Sequence, residues 1–339
     1  MKGKDLFRKR LEFRPFEYPE LIKYRDAIRL SRWHFEEFDF GEDIQDFHTK
    51  LSNKEKNCIK NTMLAISQVE TENVKTYWAY IGETFPKPEV SIVGITFGEN
   101  EIIHGDSYSE LLNLLGFNDE FKRALKNPVL MNRVNYLNKY LNKRDINTKQ
   151  FKLLKLTLFS LFVENVSLFG QFLIIKSFKE KKNLLKSLDN VVLSTQNDEL
   201  VHAQFGIELI NIVREESPEL FDEDFERKLI LACKKAYRAE EEIVDWIFEK
   251  GDLDFITAYD VKEFMKQRFN QSLNSIGYDS IFELDDTSLD KTNWFNEQIH
   301  GYIRNDFFVT KSRNYNKVNV TESNIISGVK KFKEDHVLV

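Results

Sequence analysis

The stretch Glu101-Ile102-Ile103-His104, with Tyr108 one helical turn further on, decides how this chain folds, and Glu199-Leu200-Val201-His202 repeats it. Residues three apart on a helix share a face, so each Glu and its His can reach one point. Two such helices, plus a single Glu from each of two more, form the recurrent ligand set for a pair of redox metals inside a helical bundle. Glu70, after Ala65-Ile66-Ser67-Gln68-Val69, and Glu164, within Leu161-Phe162-Val163-Glu164-Asn165-Val166-Ser167-Leu168-Phe169, fill the two single roles. A chain with six His and this much Glu gives about one Glu-x-x-His by chance. A lone copy is more often a salt-bridged Glu and a packed His. The set of six on apolar helices is different, because an unpaired buried carboxylate costs roughly several kcal/mol. Oxygen-rich ligation with some nitrogen suits iron or manganese better than zinc or copper(I). The His-Glu-x-x-His zinc-protease pattern is absent, since neither Glu101 nor Glu199 follows a His.

Composition agrees with a bundle of long helices. Among 339 residues only six are Pro and 13 are Gly, so helices can run uninterrupted, and 29 Phe suit a wide apolar interior. Hydrophobic residues make up 42% and charged residues 31%, a soluble globular balance. A net charge of −6 gives no electrostatic reason to expect nucleic acid. Cys58 and Cys233 are isolated, which fits neither zinc spacing nor a disulfide framework and suits a reducing compartment. Met1 to Arg14 has no apolar run and reads as no signal peptide. Leu153 to Phe178 is the most apolar stretch, but Lys155, Glu164, Asn165, Gln171 and Lys176 make it a buried helix rather than a membrane span.

Local signals set the expected order. Residues 1–20 read as an extended arm, and Tyr24 to Trp33 as helix-compatible. Ser52 and Glu55 form a capping-box signal for a long helix reaching about Tyr80 and stopped by Pro86 and Pro88. A second long helix is expected from about Ser91 to Leu115 and ends at Gly116; shorter helices follow over 119–148, with Pro128 breaking the pattern. Thr148 caps a third, Lys149 to Lys179, and a fourth runs from Lys186 to Glu215 before Pro218. Two or three amphipathic helices fill 220–308, for example Phe225 to Lys250. The fold class is therefore all-α: a ferritin-like long-helix bundle over 1–312 and a flexible tail over 313–339.

Six stretches in order carry a family resemblance. They are Trp33-His34-Phe35-Glu36-Glu37; Glu70; Glu101 to His104 with Asp106-Ser107-Tyr108; Glu164 with Phe169, Gly170 and Phe172; Asp198-Glu199-Leu200-Val201-His202; and Asp306-Phe307-Phe308 leading to Tyr315. Over nearly its whole length the chain resembles the small (R2, beta) subunit of class I ribonucleotide reductase. The resemblance implies two metal ions held by Glu70, Glu101, His104, Glu164, Glu199 and His202. It also implies a stored one-electron oxidant sent to a cysteine of the large (alpha) subunit, where a ribonucleoside diphosphate is reduced. Asp198 would be the hydrogen-bond partner of His104 or His202, Trp33 the inner relay, Tyr315 the tail relay and Tyr108 the candidate radical. Leu168, Phe172 and Phe97 would wall the radical from water. The implied setting is a cytoplasmic homodimer whose C-terminal tail binds the large subunit, without nucleic acid or membrane.

Departures sharpen the metal expectation. Glu70 stands where iron–tyrosyl members usually have Asp, and Glu there goes with manganese-containing forms, some of which have a redox-inert tyrosine. The expected order is a manganese pair, then an iron pair, then a mixed Mn/Fe centre. Lys75 lies one turn past Glu70, Asn197 replaces a frequent Arg, and Phe35 replaces the usual Pro. The alternative is an R2-like ligand-binding oxidase, which shares the six ligands but has a Val–Tyr cross-link; Glu72 and Phe159 hold the corresponding positions here. Iron storage in a ferritin-like shell would have no use for Trp33 or a C-terminal tail.

Overall fold

Pro88 shows how this sequence turns into helix. It occupies the first turn, where its missing N–H is no loss, and starts a 27-residue helix rather than ending the one before. The computed structural model describes residues 4–72, 74–141 and 148–305, without the side chains of 71–72, 74–75, 138–141 and 303–305. Tyr315 and the expected tail fall outside the described residues, as do the Lys75 and Glu72 side chains.

In chain order the helices are α1 (Ile22–Ser31), α2 (Gly41–Thr49), α3 (Asn53–Glu72), α4 (Val74–Ala79) and α5 (Ile81–Thr84). Next come α6 (Pro88–Leu114), α7 (Asn118–Ala124), α8 (Pro128–Leu141) and α9 (Lys149–Thr157). A π-helical segment (Leu158–Ser167) follows and runs into α10 (Leu168–Lys182). The last are α11 (Lys186–Glu216), α12 (Glu223–Ile247), α13 (Ala258–Ser275) and α14 (Asp286–Asn305). Among the described residues there is no strand, so the chain is all-α.

Several expected boundaries moved, each for a physical reason. The first long helix is described as α3 to Glu72 and α4 from Val74 to Ala79, which reaches the expected end near Tyr80, and α5 takes up the remaining turn before Pro86. Pro128 opens α8 instead of interrupting a helix. The stretch from Lys149 to Lys182 is continuous, but its middle ten residues widen into a π-helix, which apolar periodicity does not distinguish from α. The expected caps form: Ser52 N–H donates to Glu55 Oε2 at 2.8 Å, and Thr148 Oγ1 accepts from Phe151 N–H at 3.2 Å.

Four helices carry the candidate ligands: α3, α6, the π segment and α11. α6 packs on α3 and α11, while α11 packs on the π segment and α10. Lys149–Lys182 is long and apolar enough to cross a membrane by composition, yet 94% of its most apolar window is buried inside the protein, so it is a core helix. The arm is pinned rather than loose. Glu89 Oε1 accepts from the Glu17 and Tyr18 N–H groups at 2.9 Å, and Glu216 accepts from Leu6 N–H at 2.8 Å and Tyr18 Oη at 2.6 Å.

Candidate metal centre

The fold brings Glu70, Glu101, His104, Glu164, Glu199 and His202 together, all with no exposed surface. They form two overlapping groups whose ligand-capable atoms lie within 4.8 Å of one another: Glu70, Glu101, His104 and Glu199, and Glu101, Glu164, Glu199 and His202. Glu101 and Glu199 belong to both groups and would be shared by two ions, whereas Glu70 and Glu164 would each serve one. His104 Nδ1 lies 3.5 Å from Glu101 Oε2, 3.1 Å from Glu199 Oε1 and 3.9 Å from Glu70 Oε2. His202 Nδ1 lies 3.0 Å from Glu101 Oε1, 3.3 Å from Glu199 Oε2 and 4.0 Å from Glu164 Oε1.

Close as these atoms are, both oxygens of Glu70, Glu101 and Glu199, and Nδ1 of both histidines, are buried without a well-aligned hydrogen bond. Buried polar atoms are normally paired. Donors that crowd together yet do not point at one another converge on a shared point, so the residues fit a pair of cations. Four carboxylates and two imidazoles match divalent manganese or iron. In the metal-free protein the carboxyls of Glu70 and Glu164 are pushed well up, by burial first and then by neighbouring glutamates. The two histidines also move up despite burial, because they face carboxylates: His104 well up, His202 to about 9. Glu101, between both histidines, falls to about 2 although burial opposes it.

Asp198, buried next to the ligand Glu199, joins this centre to Trp33. Its Oδ2 accepts from Trp33 Nε1 at 2.8 Å and Asn100 Nδ2 at 3.0 Å, and lies 3.1 Å from His104 Nε2. Of the two histidines it therefore contacts His104. Trp33 is 1% exposed and stacks on the His104 ring, with centroids 6.0 Å apart at 19°. Tyr108 is fully buried, and its hydroxyl donates to Thr195 Oγ1 at 3.4 Å, while Thr195 donates to the Val191 carbonyl at 3.1 Å. Burial raises the Tyr108 phenol, and the charge of Glu70 raises it further. Leu168, Phe172 and Phe97 are all fully buried, and Phe97 packs on His202 with centroids 4.1 Å apart.

Sequence reasoning missed Asn100, Thr195 and Trp78. Trp78 Nε1 donates to Glu164 Oε1, and its ring meets Phe97, His202 and Phe205 at 5.2–5.9 Å. Asn100 could have been noticed, because it adjoins Glu101 on an apolar helix. Nothing local marks Trp78, since its role depends on α4 lying against α6.

A helical bundle with two Glu-x-x-His helices and two single glutamates defines a class of protein that can hold paired metal ions in its core. Residues 10–289 match the family model for the ribonucleotide reductase small chain, and the chain belongs to that family. A probable ribonucleoside-diphosphate reductase small subunit of Invertebrate iridescent virus 3 is 25% identical over 328 residues, covering 92% of this chain and 86% of the relative. The dimanganese(II)-NrdF of Streptococcus sanguinis superposes with a TM-score of 0.71 at 18% identity, covering 84% of this chain and 100% of that one. A variant R2-like ligand-binding oxidase with an aerobically reconstituted Mn/Fe cofactor gives a TM-score of 0.66 at 19% identity, covering 77% of this chain and 98% of that one.

Proposed function

We propose that this chain is the radical-generating small subunit of a class I ribonucleoside-diphosphate reductase, with Glu70, Glu101, His104, Glu164, Glu199 and His202 holding two manganese ions. When bound, the metal pair supplies a one-electron oxidant. The protein's own groups keep it dry and route it. Leu168, Phe172 and Phe97 exclude water. Asp198 fixes His104 through Nε2–H, which leaves Nδ1 free to face the metal position. Trp33 is the first relay: its indole N–H is already bonded to Asp198, which can take the proton as the ring gives up an electron. Tyr315 continues the relay in the tail that docks on the large subunit, and the working unit is a cytoplasmic homodimer.

The observation that carries this reading is the Asp198 junction, which ties a metal-facing histidine to a buried tryptophan through one carboxylate oxygen. Tyr108 is assigned no radical. Its proton goes to a threonine hydroxyl that is itself committed to a backbone carbonyl, so no base is bonded to the phenol. A manganese pair is preferred because Glu rather than Asp stands at position 70; an iron pair ranks second and a mixed centre third.

The test is reduction of a ribonucleoside diphosphate by the manganese-loaded protein mixed with its cognate large subunit. Activity should fall at least about 10²-fold in Trp33→Phe, which removes the relay without opening a large cavity, and should survive Tyr108→Phe. A tyrosyl EPR signal that disappears in Tyr108→Phe would move the oxidant onto that residue. No reduction at all, with a bound apolar ligand instead, would favour the oxidase, whose structural likeness is the specific observation in its support.

A further inference from the structure

Two buried arginines sit beside the metal constellation without belonging to it. Arg133 on α8 is 1% exposed. Its Nη2 donates to the Ala65 carbonyl and, at 3.1 Å, to Gln68 Oε1, both on α3. Its Nη1 donates to Ser167 Oγ at 3.4 Å and pairs with Glu240 Oε2 of α12 at 3.6 Å. Arg268 on α13 is 4% exposed. Its Nε donates to the Asn165 carbonyl at 2.6 Å, its Nη2 donates to Asn165 Oδ1, and its guanidinium lies 4.0 Å from the Phe169 ring centre. Asn165 Nδ2 donates onward to Ser272 Oγ at 3.1 Å.

Burying a cation costs several kcal/mol unless it is compensated. Among the described residues Arg268 has no carboxylate partner; burial lowers it to about 9, so it is still a cation at neutral pH. Both arginines end on the π segment, on either side of the turn that follows Glu164: Arg268 at Asn165, the next residue, and Arg133 at Ser167, the last residue of the segment. A π-helical turn departs from the regular i→i−4 ladder, and such departures are frequent at functional sites. The planar guanidinium suits such a turn, because its donors leave in fixed directions. The ligand pattern also leaves something to be held. Glu101 and Glu199 each share a helix with a histidine of the same site, whereas Glu70 and Glu164 are alone on theirs. Arg133 grips α3 one turn before Glu70 and the π segment just after Glu164.

We propose that Arg133 and Arg268 are positioning residues that bracket the π segment and so set where the Glu164 carboxylate meets the second metal position. The inference rests on the two-metal reading above. Its prediction is site-selective for Arg268: loosening it weakens the ion at Glu101, Glu164, Glu199 and His202 and spares the ion at Glu70, Glu101, His104 and Glu199, whereas Arg133, which also grips α3 beside Glu70, acts on both.

The test titrates Mn(II) into metal-free protein by calorimetry, with metal analysis for stoichiometry and the Co(II) absorption spectrum for coordination. Glu164→Ala marks which binding step belongs to the second position. Arg268→Lys keeps the charge and loses the fork. Its metal-free form should retain helical circular dichroism, while the marked step weakens about 10- to 100-fold and the Co(II) bands change. Arg133→Lys should weaken both steps, because Arg133 also grips α3 beside Glu70. If Arg268→Lys does not fold, Asn165→Ala keeps the arginine and removes one acceptor, and the same selective loss, smaller in size, is expected. Unchanged affinity at the marked step, with only a lower melting temperature, would show that the arginines are merely structural and would overturn the proposal. Wild-type protein that binds fewer than two ions fails before any substitution is compared, and overturns the metal reading itself.

Discussion

Asp198 Oδ2 takes a hydrogen bond from Trp33 and another from Asn100 and touches the His104 ring, whereas His202 Nε2 is buried with no partner at all. The two halves of the centre are thus built differently. The first histidine is held by a charge-assisted hydrogen bond, the second by ring packing against Phe97 at 4.1 Å. The Trp78 indole compensates on the second half by holding Glu164. Trp78→Phe keeps most of the ring packing and removes that donor, leaving a buried carboxylate oxygen unpaired. The expected result is a loss of about 10- to 100-fold in affinity at the second metal position, read by Mn(II) titration, with the first position unaffected. The six ligand candidates were legible in the sequence because the chemistry needs Glu and His at helical spacing. Trp78, Asn100 and Thr195 were not, because each acquires its partner only when helices distant in the chain are packed together.

Long helices were legible from apolar periodicity and caps; the shape of the helix carrying Glu164 was not. Leu158 to Ser167 is apolar all round, and nothing in such a run separates an α turn from a π turn. What the segment meets comes from elsewhere in the chain: the two arginines bond it, and α11 packs on it. Gly206 on α11 lies in that contact: a Cβ there would run into Ser160 Oγ and Cβ on the π segment. Gly206→Ala should therefore destabilise the fold by about 1–3 kcal/mol through overpacking, read as a lower denaturation midpoint. Adding Ser160→Gly should recover most of the loss. If the double variant is no better than the single one, the cost arises elsewhere than at this contact.

At the scale of the whole molecule, Ile95 and Ile102 lie a heptad apart on α6 and are 63% and 51% exposed, unusual on a core helix. Arg32 pairs with Glu99 between them at 2.7 Å and brings the end of α1, with exposed Leu30, to the same face. This is the surface through which the homodimer proposed above would close; Ile95→Asp with Ile102→Asp should then shift the mass in light scattering from dimer to monomer without loss of helicity. The metal centre sets a second molecular property, the dependence of stability on pH. In the metal-free protein Glu70 and Glu164 are raised above 4.5 and His104 and His202 above 6.5. A group raised on folding stabilises below its unfolded pKa, and that stability is lost as pH climbs through the folded value. All four thus act in the same direction. Glu101 acts oppositely, but its contribution is lost only as pH falls through about 2. The metal-free melting temperature should therefore drop steadily from about pH 5 to about pH 9. Metal binding takes deprotonated ligands, so the gap to the metal-loaded protein should widen over the same range. At a free metal concentration about 1,000 times Kd, each site contributes about 4 kcal/mol, roughly 6 °C per site for a chain of this length. Parallel melting curves for the two forms across this pH range would mean that the buried carboxylates and imidazoles are not what the metal replaces protons on.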